Sequence, residues 1–150
     1  MSKIGKNATI HGGGFHHVAI KVYDFEASLQ FYMDGLGFTR RYGWGEDGRS
    51  KGEKDSRAVM LDTGDGNYME VFAGGTRKPV EEAPESTVMH FAFRTTDCSA
   101  ALERAREAGA KVTMEPKTVT IKGDYPTDFR VAFVNGPDGE VVEFFQNDEL

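Results

Sequence analysis

The chain has 150 residues, 39% hydrophobic and 28% charged, which suits one compact domain or two small fused modules with a core of their own. A net charge of −6 and a pI near 5.2, without a basic cluster, argue against a nucleic-acid or anionic-membrane surface, and no apolar run approaches the roughly 20 residues of a membrane helix. Cys98 is the single cysteine, which rules out an intrachain disulfide, and no charged-then-apolar leader opens the chain, so a soluble cytoplasmic protein is expected.

Residues 1–14, ending in His11-Gly12-Gly13-Gly14, are polar and glycine-rich and read as an arm outside the fold. From Phe15 the pattern becomes strand-like: Val18, Ile20 and Val22 alternate with His17, Ala19 and Lys21. Asp24 can cap a helix whose apolar stripe is Phe25, Leu29, Tyr32 and Met33, and Gly35 and Gly37 end it. Residues 43–57 have much charge and no periodicity, which predicts an exposed loop or wide hairpin. The strand 58–62, the turn Thr63-Gly64-Asp65-Gly66 and a strand around Glu70 follow in hairpin order, closing a first module over 15–73. Residues 74–87, with Pro79 and Pro84, read as a linker.

The second module, 88–146, repeats this order before a short tail, 147–150. His17 and His90, Asp24 and Asp97, Leu29 and Leu102, Asp65 and Asp138, and Glu70 and Glu143 are each separated by 73 residues. One ungapped offset aligning strand start, helix cap, turn and glutamate points to an internal duplication of a βαβββ unit. The expected fold is α+β: two tandem βαβββ modules forming a curved mixed sheet around a metal-binding trough, with helices on the convex side.

Glu143, inside the apolar run Val141-Val142-Glu143-Phe144-Phe145, is the residue most in need of a partner, because an unpaired buried carboxylate costs several kcal/mol, roughly. Strand alternation places His17, Glu70, His90 and Glu143 on the face opposite Val18, Ile20, Met69, Val71, Phe91, Phe93, Val142 and Phe144. Two imidazoles and two carboxylates suit one divalent metal ion: nickel, cobalt, zinc, manganese or iron. Taken singly, a strand histidine is more often structural and a strand glutamate more often faces water. The shared register favours the metal.

Phe15-His16-His17-Val18-Ala19-Ile20-Lys21-Val22-Tyr23-Asp24, with Ser28-Leu29-Gln30-Phe31-Tyr32 and Gly35-Leu36-Gly37-Phe38, resembles the opening of the vicinal oxygen chelate superfamily. Phe133-Val134-Asn135-Gly136-Pro137-Asp138-Gly139 through Val142-Glu143-Phe144-Phe145 resembles its closing motif. That superfamily gathers glyoxalases, bleomycin-resistance proteins and extradiol dioxygenases, and the His/Glu/His/Glu order is most similar to the glyoxalase I (lactoylglutathione lyase) type. The resemblance implies a glyoxalase-like fold and a lyase or isomerase that converts a hemithioacetal or related hydroxy-carbonyl compound through a metal-bound enediolate. It implies Glu143 as the base and Glu70 as the permanent ligand, with both able to share the roles. An epimerase, an iron dioxygenase and a metal-free small-molecule binding or resistance protein are the alternatives on the same fold. Glyoxalase I usually carries an arginine and an asparagine four residues after its first two ligands; this chain has Lys21 and Gly74, which leaves the thiol cosubstrate open.

Lys21, Arg94 and Tyr125 are the candidate substrate-binding residues, Arg94 because it lies four residues after His90 on the trough face. Residues 116–128 read as a long connector of the kind that forms lids, from which Tyr125 and Lys122 would reach a substrate. Arg57 and Arg130, related by the same offset, suit either surface ion pairs or an anionic group, and Trp44 either a lid or a partner contact. His16 is expected to point away from the trough. The partners expected are a small-molecule substrate and a second copy of the chain in a homodimer, with the metal site within one chain or between two, and neither nucleic acid nor membrane.

Overall fold

A computed structural model of the chain describes residues 15–76, 88–122 and 125–148. The expected arm 1–14 with His11, and all of the expected linker beyond Thr76, lie outside the described residues. The first module consists of β1 (His17–Lys21), α1 (Phe25–Leu29), β2 (Thr39–Trp44), β3 (Ala58–Asp62) and β4 (Tyr68–Phe72). The second consists of β5 (Phe91–Arg94), α2 (Cys98–Glu107), β6 (Lys111–Lys122), β7 (Pro126–Asn135) and β8 (Val141–Gln146). Each module forms a four-stranded mixed sheet, in the orders β1-β4-β3-β2 and β5-β8-β7-β6. The first and last strands of each module are parallel neighbours, joined by a helical crossover as parallel pairing requires.

The 73-residue offset extends to the strand register. Val18 pairs with Met69 and Phe91 with Val142; Met60 pairs with Glu70 and Phe133 with Glu143. The caps repeat as well: Asp24 accepts from Ala27 N at 2.9 Å and Asp97 from Ala100 N at 3.0 Å, satisfying one orphan donor at each helix start.

Three local expectations change. The first helix widens after α1 into π-type turns over Gln30–Gly35, with Leu36 N donating to Phe31 O at 3.1 Å. The wide hairpin expected over 43–57 opens later than expected: Gly43 and Trp44 still belong to β2, because β2 continues alongside Ala58 and Val59. Residues 116–122 and 126–128 are strand and not connector: β6 and β7 form a long hairpin. The run Thr118-Val119-Thr120-Ile121 is β-branched throughout and pairs well on a pleated surface. Pro116 falls where the ladder slips between Met114 and Lys117, so its missing N–H breaks no regular pairing.

The helix-facing sides of both sheets enter one hydrophobic cluster. Val22, Phe31, Tyr32, Val59, Leu61, Met69 and Val71 from the first module join Cys98, Leu102, Ala105, Val134, Val142 and Phe144 from the second. Phe38 meets Phe93 edge to face at 5.0 Å across the junction. Gly35 allows the closest helix contact, since a Cβ there would lie 2.5 Å from Ala108 Cβ. With the helix-facing sides committed to this core, His17, Glu70 and Glu143 lie on the opposite faces of their sheets.

Candidate metal centre

On the outer face of the first sheet, His17 at the start of β1 and Glu70 in the middle of β4 are brought together by the parallel β1/β4 pairing, with His17 Nε2 3.5 Å from Glu70 Oε2. On the second sheet His90, just before β5, and Glu143 in β8 meet in the same way, Nε2 to Oε2, at 3.0 Å. Glu143 is 8% exposed, and its burial pushes the carboxyl above its ordinary range, an effect that His90 partly opposes. Phe133, opposite Glu143 on β7, packs its ring edge-on to His90 at 5.5 Å.

The four residues named as metal ligands are thus brought together as two pairs, one on each sheet. Among the described residues no group of three or more histidine, cysteine, aspartate or glutamate side chains is placed to hold one ion. One imidazole nitrogen and one carboxylate oxygen are too few for the four or more donors these cations take. The donor chemistry, imidazole nitrogen and carboxylate oxygen, is of the kind a divalent ion takes.

Lys21 is exposed on the His17 face, two alternations further along β1. Arg94, its counterpart 73 residues on, pairs with Asp65 of the first module's turn at 2.8 Å. Tyr125 stands at the start of the β7 arm, about 26 Å along the strand from Phe133, out of reach of its own chain's Glu143. Lys122 closes β6. Arg57 is engaged by Asp55 at 2.9 Å and by Glu26 at 2.5 Å and lies over the Phe25 ring at 4.6 Å, which braces the loop before β3. Arg130 donates to Ser99 and Thr118 at the surface. Trp44 sits between Tyr42 and Phe72, at 5.7 and 5.8 Å between ring centroids.

Two features escaped the sequence reading. His16 does not point away from the pair: its Nδ1 lies 3.0 Å from His17 Nδ1 and its ring lies on Tyr68. The strand begins at His17, so period-2 alternation does not govern the residue before it, and the adjacent histidines were the available signal. Glu140 accepts from the buried Tyr32 hydroxyl at 2.6 Å and from Asp138 N at 2.8 Å, tying the second module's turn to the first module's helix. Burial raises the Glu140 carboxyl, and burial together with Glu140 holds the Tyr32 phenol well above its usual range. A cavity of about 460 Å³, lined by Gln30, Asp34, Arg104 and Pro137 among others, borders neither His/Glu pair.

Residues 14–144 match the family model described as the Glyoxalase/Bleomycin resistance protein/Dioxygenase superfamily. The uncharacterized protein YwbC of Bacillus subtilis (strain 168) is 29% identical over 130 residues, 87% of this chain and 94% of that one. Two solved structures share the fold. The glyoxalase family protein from Enterococcus faecalis has a TM-score of 0.65 at 21% identity, over 88% of this chain and 96% of that one. A V278E mutant of glyoxalase I from Zea mays has a TM-score of 0.65 at 21% identity, over 90% of this chain and 45% of that one. By its repeated βαβββ modules, its paired donors and the match over nearly its whole length, the chain belongs to the glyoxalase, bleomycin-resistance and dioxygenase superfamily.

Proposed function

We propose that the protein is a metal-dependent lyase or isomerase of glyoxalase I type, acting on a hemithioacetal or related hydroxy-carbonyl compound, and that a second copy of the chain completes its site. One observation carries this reading: two equivalent His/Glu pairs stand on two separate sheets, and among the described residues neither gathers the three or more donors that would hold an ion. Joining the first face of one subunit to the second face of another would set His17 and Glu70 beside His90 and Glu143 of the partner subunit.

A divalent cation held there supplies the positive charge that stabilises oxyanions developing on adjacent substrate oxygens. The chain's own residues do the rest. Glu143 takes the proton from the carbon beside the carbonyl and returns it to the neighbouring carbon, so atoms and electrons balance without a co-reactant. Its raised carboxyl, a consequence of burial, brings its proton affinity closer to that of a working base at neutral pH. Glu70 and the two histidines hold position, and the aromatic surroundings, Trp44, Phe72 and Phe133, keep water from the carbon that is deprotonated.

The competing reading is a metal-free binding protein in which each imidazole merely satisfies its carboxylate, favoured by the 3.0 Å contact between His90 and Glu143. The test is coexpression of His17→Ala with His90→Ala. In a shared site each mixed dimer regains one intact centre, so about a quarter of wild-type metal binding and of hemithioacetal turnover returns. No recovery, with the wild type binding a full equivalent, places the site within one chain. Less than about a tenth of an equivalent in the wild type, with any of nickel, cobalt, zinc, manganese or iron, overturns the metalloenzyme.

A further inference from the structure

We infer that His16 is a positioning residue for His17: it accepts the Nδ1–H of His17 and so leaves His17 Nε2 as a bare lone pair directed at the space in front of Glu70. The inference rests on the proposed role of His17 as a ligand.

The two Nδ1 atoms are 3.0 Å apart with the rings at 88°, a separation that fits a hydrogen bond in which one nitrogen donates and the other accepts. His16 is itself held in place from elsewhere. Its carbonyl accepts from Tyr68 N at 2.8 Å, and its ring lies on the Tyr68 ring at 5.0 Å and 35°. At the other end of the His17 ring, Nε2 is 3.5 Å from Glu70, beyond the usual N–H···O length of about 2.7–3.2 Å. The contact of hydrogen-bond length is on the Nδ1 side. A proton at Nδ1 leaves the Nε2 lone pair and the Glu70 oxygen facing one another, the arrangement a cation bridges, with the second imidazole in the supporting place usually taken by a carboxylate or carbonyl.

The second module lacks this device. The residue 73 positions after His16 is Met89, which offers no comparable acceptor, and His90 lies closer to its carboxylate, at 3.0 Å. The arrangement is therefore particular to one half of the site.

A role for His16 as a mere platform on Tyr68 is separated by two variants. His16→Phe keeps an aromatic ring on Tyr68 and removes the nitrogen; His16→Asn restores an amide oxygen near the Nδ1 position. In metal-free, ¹⁵N-labelled protein at alkaline pH, imidazole correlation spectra are expected to place the His17 proton on Nδ1 in the wild type and in His16→Asn, and on Nε2 in His16→Phe. Zinc affinity, measured by titration of the metal alone, should fall about 10–100-fold in His16→Phe and recover in His16→Asn. A wild-type His17 protonated on Nε2, or a tautomer unchanged in His16→Phe, overturns the inference. If the tautomer shifts as expected but the wild type binds no zinc, nickel, cobalt, manganese or iron, the contact stands and the ligand role of His17 fails.

Discussion

The two modules keep the same pairing of histidine with glutamate and surround it differently. In the first, Tyr42, Trp44 and Phe72 form a ladder of rings beside Glu70, and Tyr42 is 66% exposed. In the second, the residues that hold the strand positions of Tyr42 and Trp44 are Met114, opposite Phe133, and Lys117, opposite Val131, and the hairpin β6/β7 continues well past the end of its counterpart β2/β3. His17 leans on a second histidine and stands 3.5 Å from its carboxylate; His90 leans on Phe133 and stands 3.0 Å from a carboxylate whose proton affinity is raised by burial. A duplicated frame has preserved donor geometry, which depends on strand register, while the walls diverged. On the proposed function, that difference assigns holding to Glu70 and proton exchange to Glu143.

The strongest way to break that contrast is to remove each charge without changing its shape. Glu143→Gln should lower turnover about 100–10,000-fold and leave bound metal near the wild-type level. Glu70→Gln should instead weaken metal binding, with turnover recovering when excess metal is supplied. Steady-state rates and metal content measured on both variants check this, and a fully active Glu143→Gln would reverse the assignment.

A second contrast lies at the junction, where Glu140 replaces the first module's Asn67 and Tyr32 replaces the second module's Ala105. The folded Glu140 carboxyl is raised above 4.5, so the folded state holds its proton longer than the unfolded chain does. By linkage, this group's contribution to stability is fully present below about 4.5 and is lost as pH rises through the folded value. Glu140→Gln does not titrate. Urea unfolding of both proteins at pH 4.5 and pH 7 should therefore show the stability of the wild type relative to the variant falling with pH; an unchanged gap would show that the Tyr32 bond compensates the buried charge in full.

The smallest expected effect concerns Ser28, which is buried with its hydroxyl unpartnered among the described residues and which corresponds to Ala101 in the other module. Ser28→Ala should stabilise the protein by about 1 kcal/mol, measured by urea unfolding, since it removes a desolvated hydroxyl and matches the residue the second half already uses. A loss of stability would mean that the hydroxyl contributes to packing that alanine does not provide.

Much of the fold was legible because the signals are local. Asp24 and Asp97 precede apolar helical stripes, and Val18, Ile20, Val142 and Phe144 alternate with His17 and Glu143, so caps and faces follow from spacing alone. The hairpin beyond Pro116 was hidden because a proline interrupts the strand pattern, and only pairing with Phe129 and Val131 across the ladder reveals the strand. The His16 contact was hidden because it depends on the chain's approach to β1, where no periodicity applies.

The duplication and the strand faces that carry His17, Glu70, His90 and Glu143 were readable from the linear chain, since a constant 73-residue offset and period-2 alternation are properties of sequence alone. The tertiary structure decided that the helix-facing sides of both sheets share one core, locked by Tyr32 on Glu140 and Phe38 on Phe93, and that the four side chains meet as two separate His/Glu pairs, one on each sheet. An apolar face carries no label for its partner: the same pattern serves a sheet covered by its own helix or by its neighbour's, and the choice is made by long-range packing.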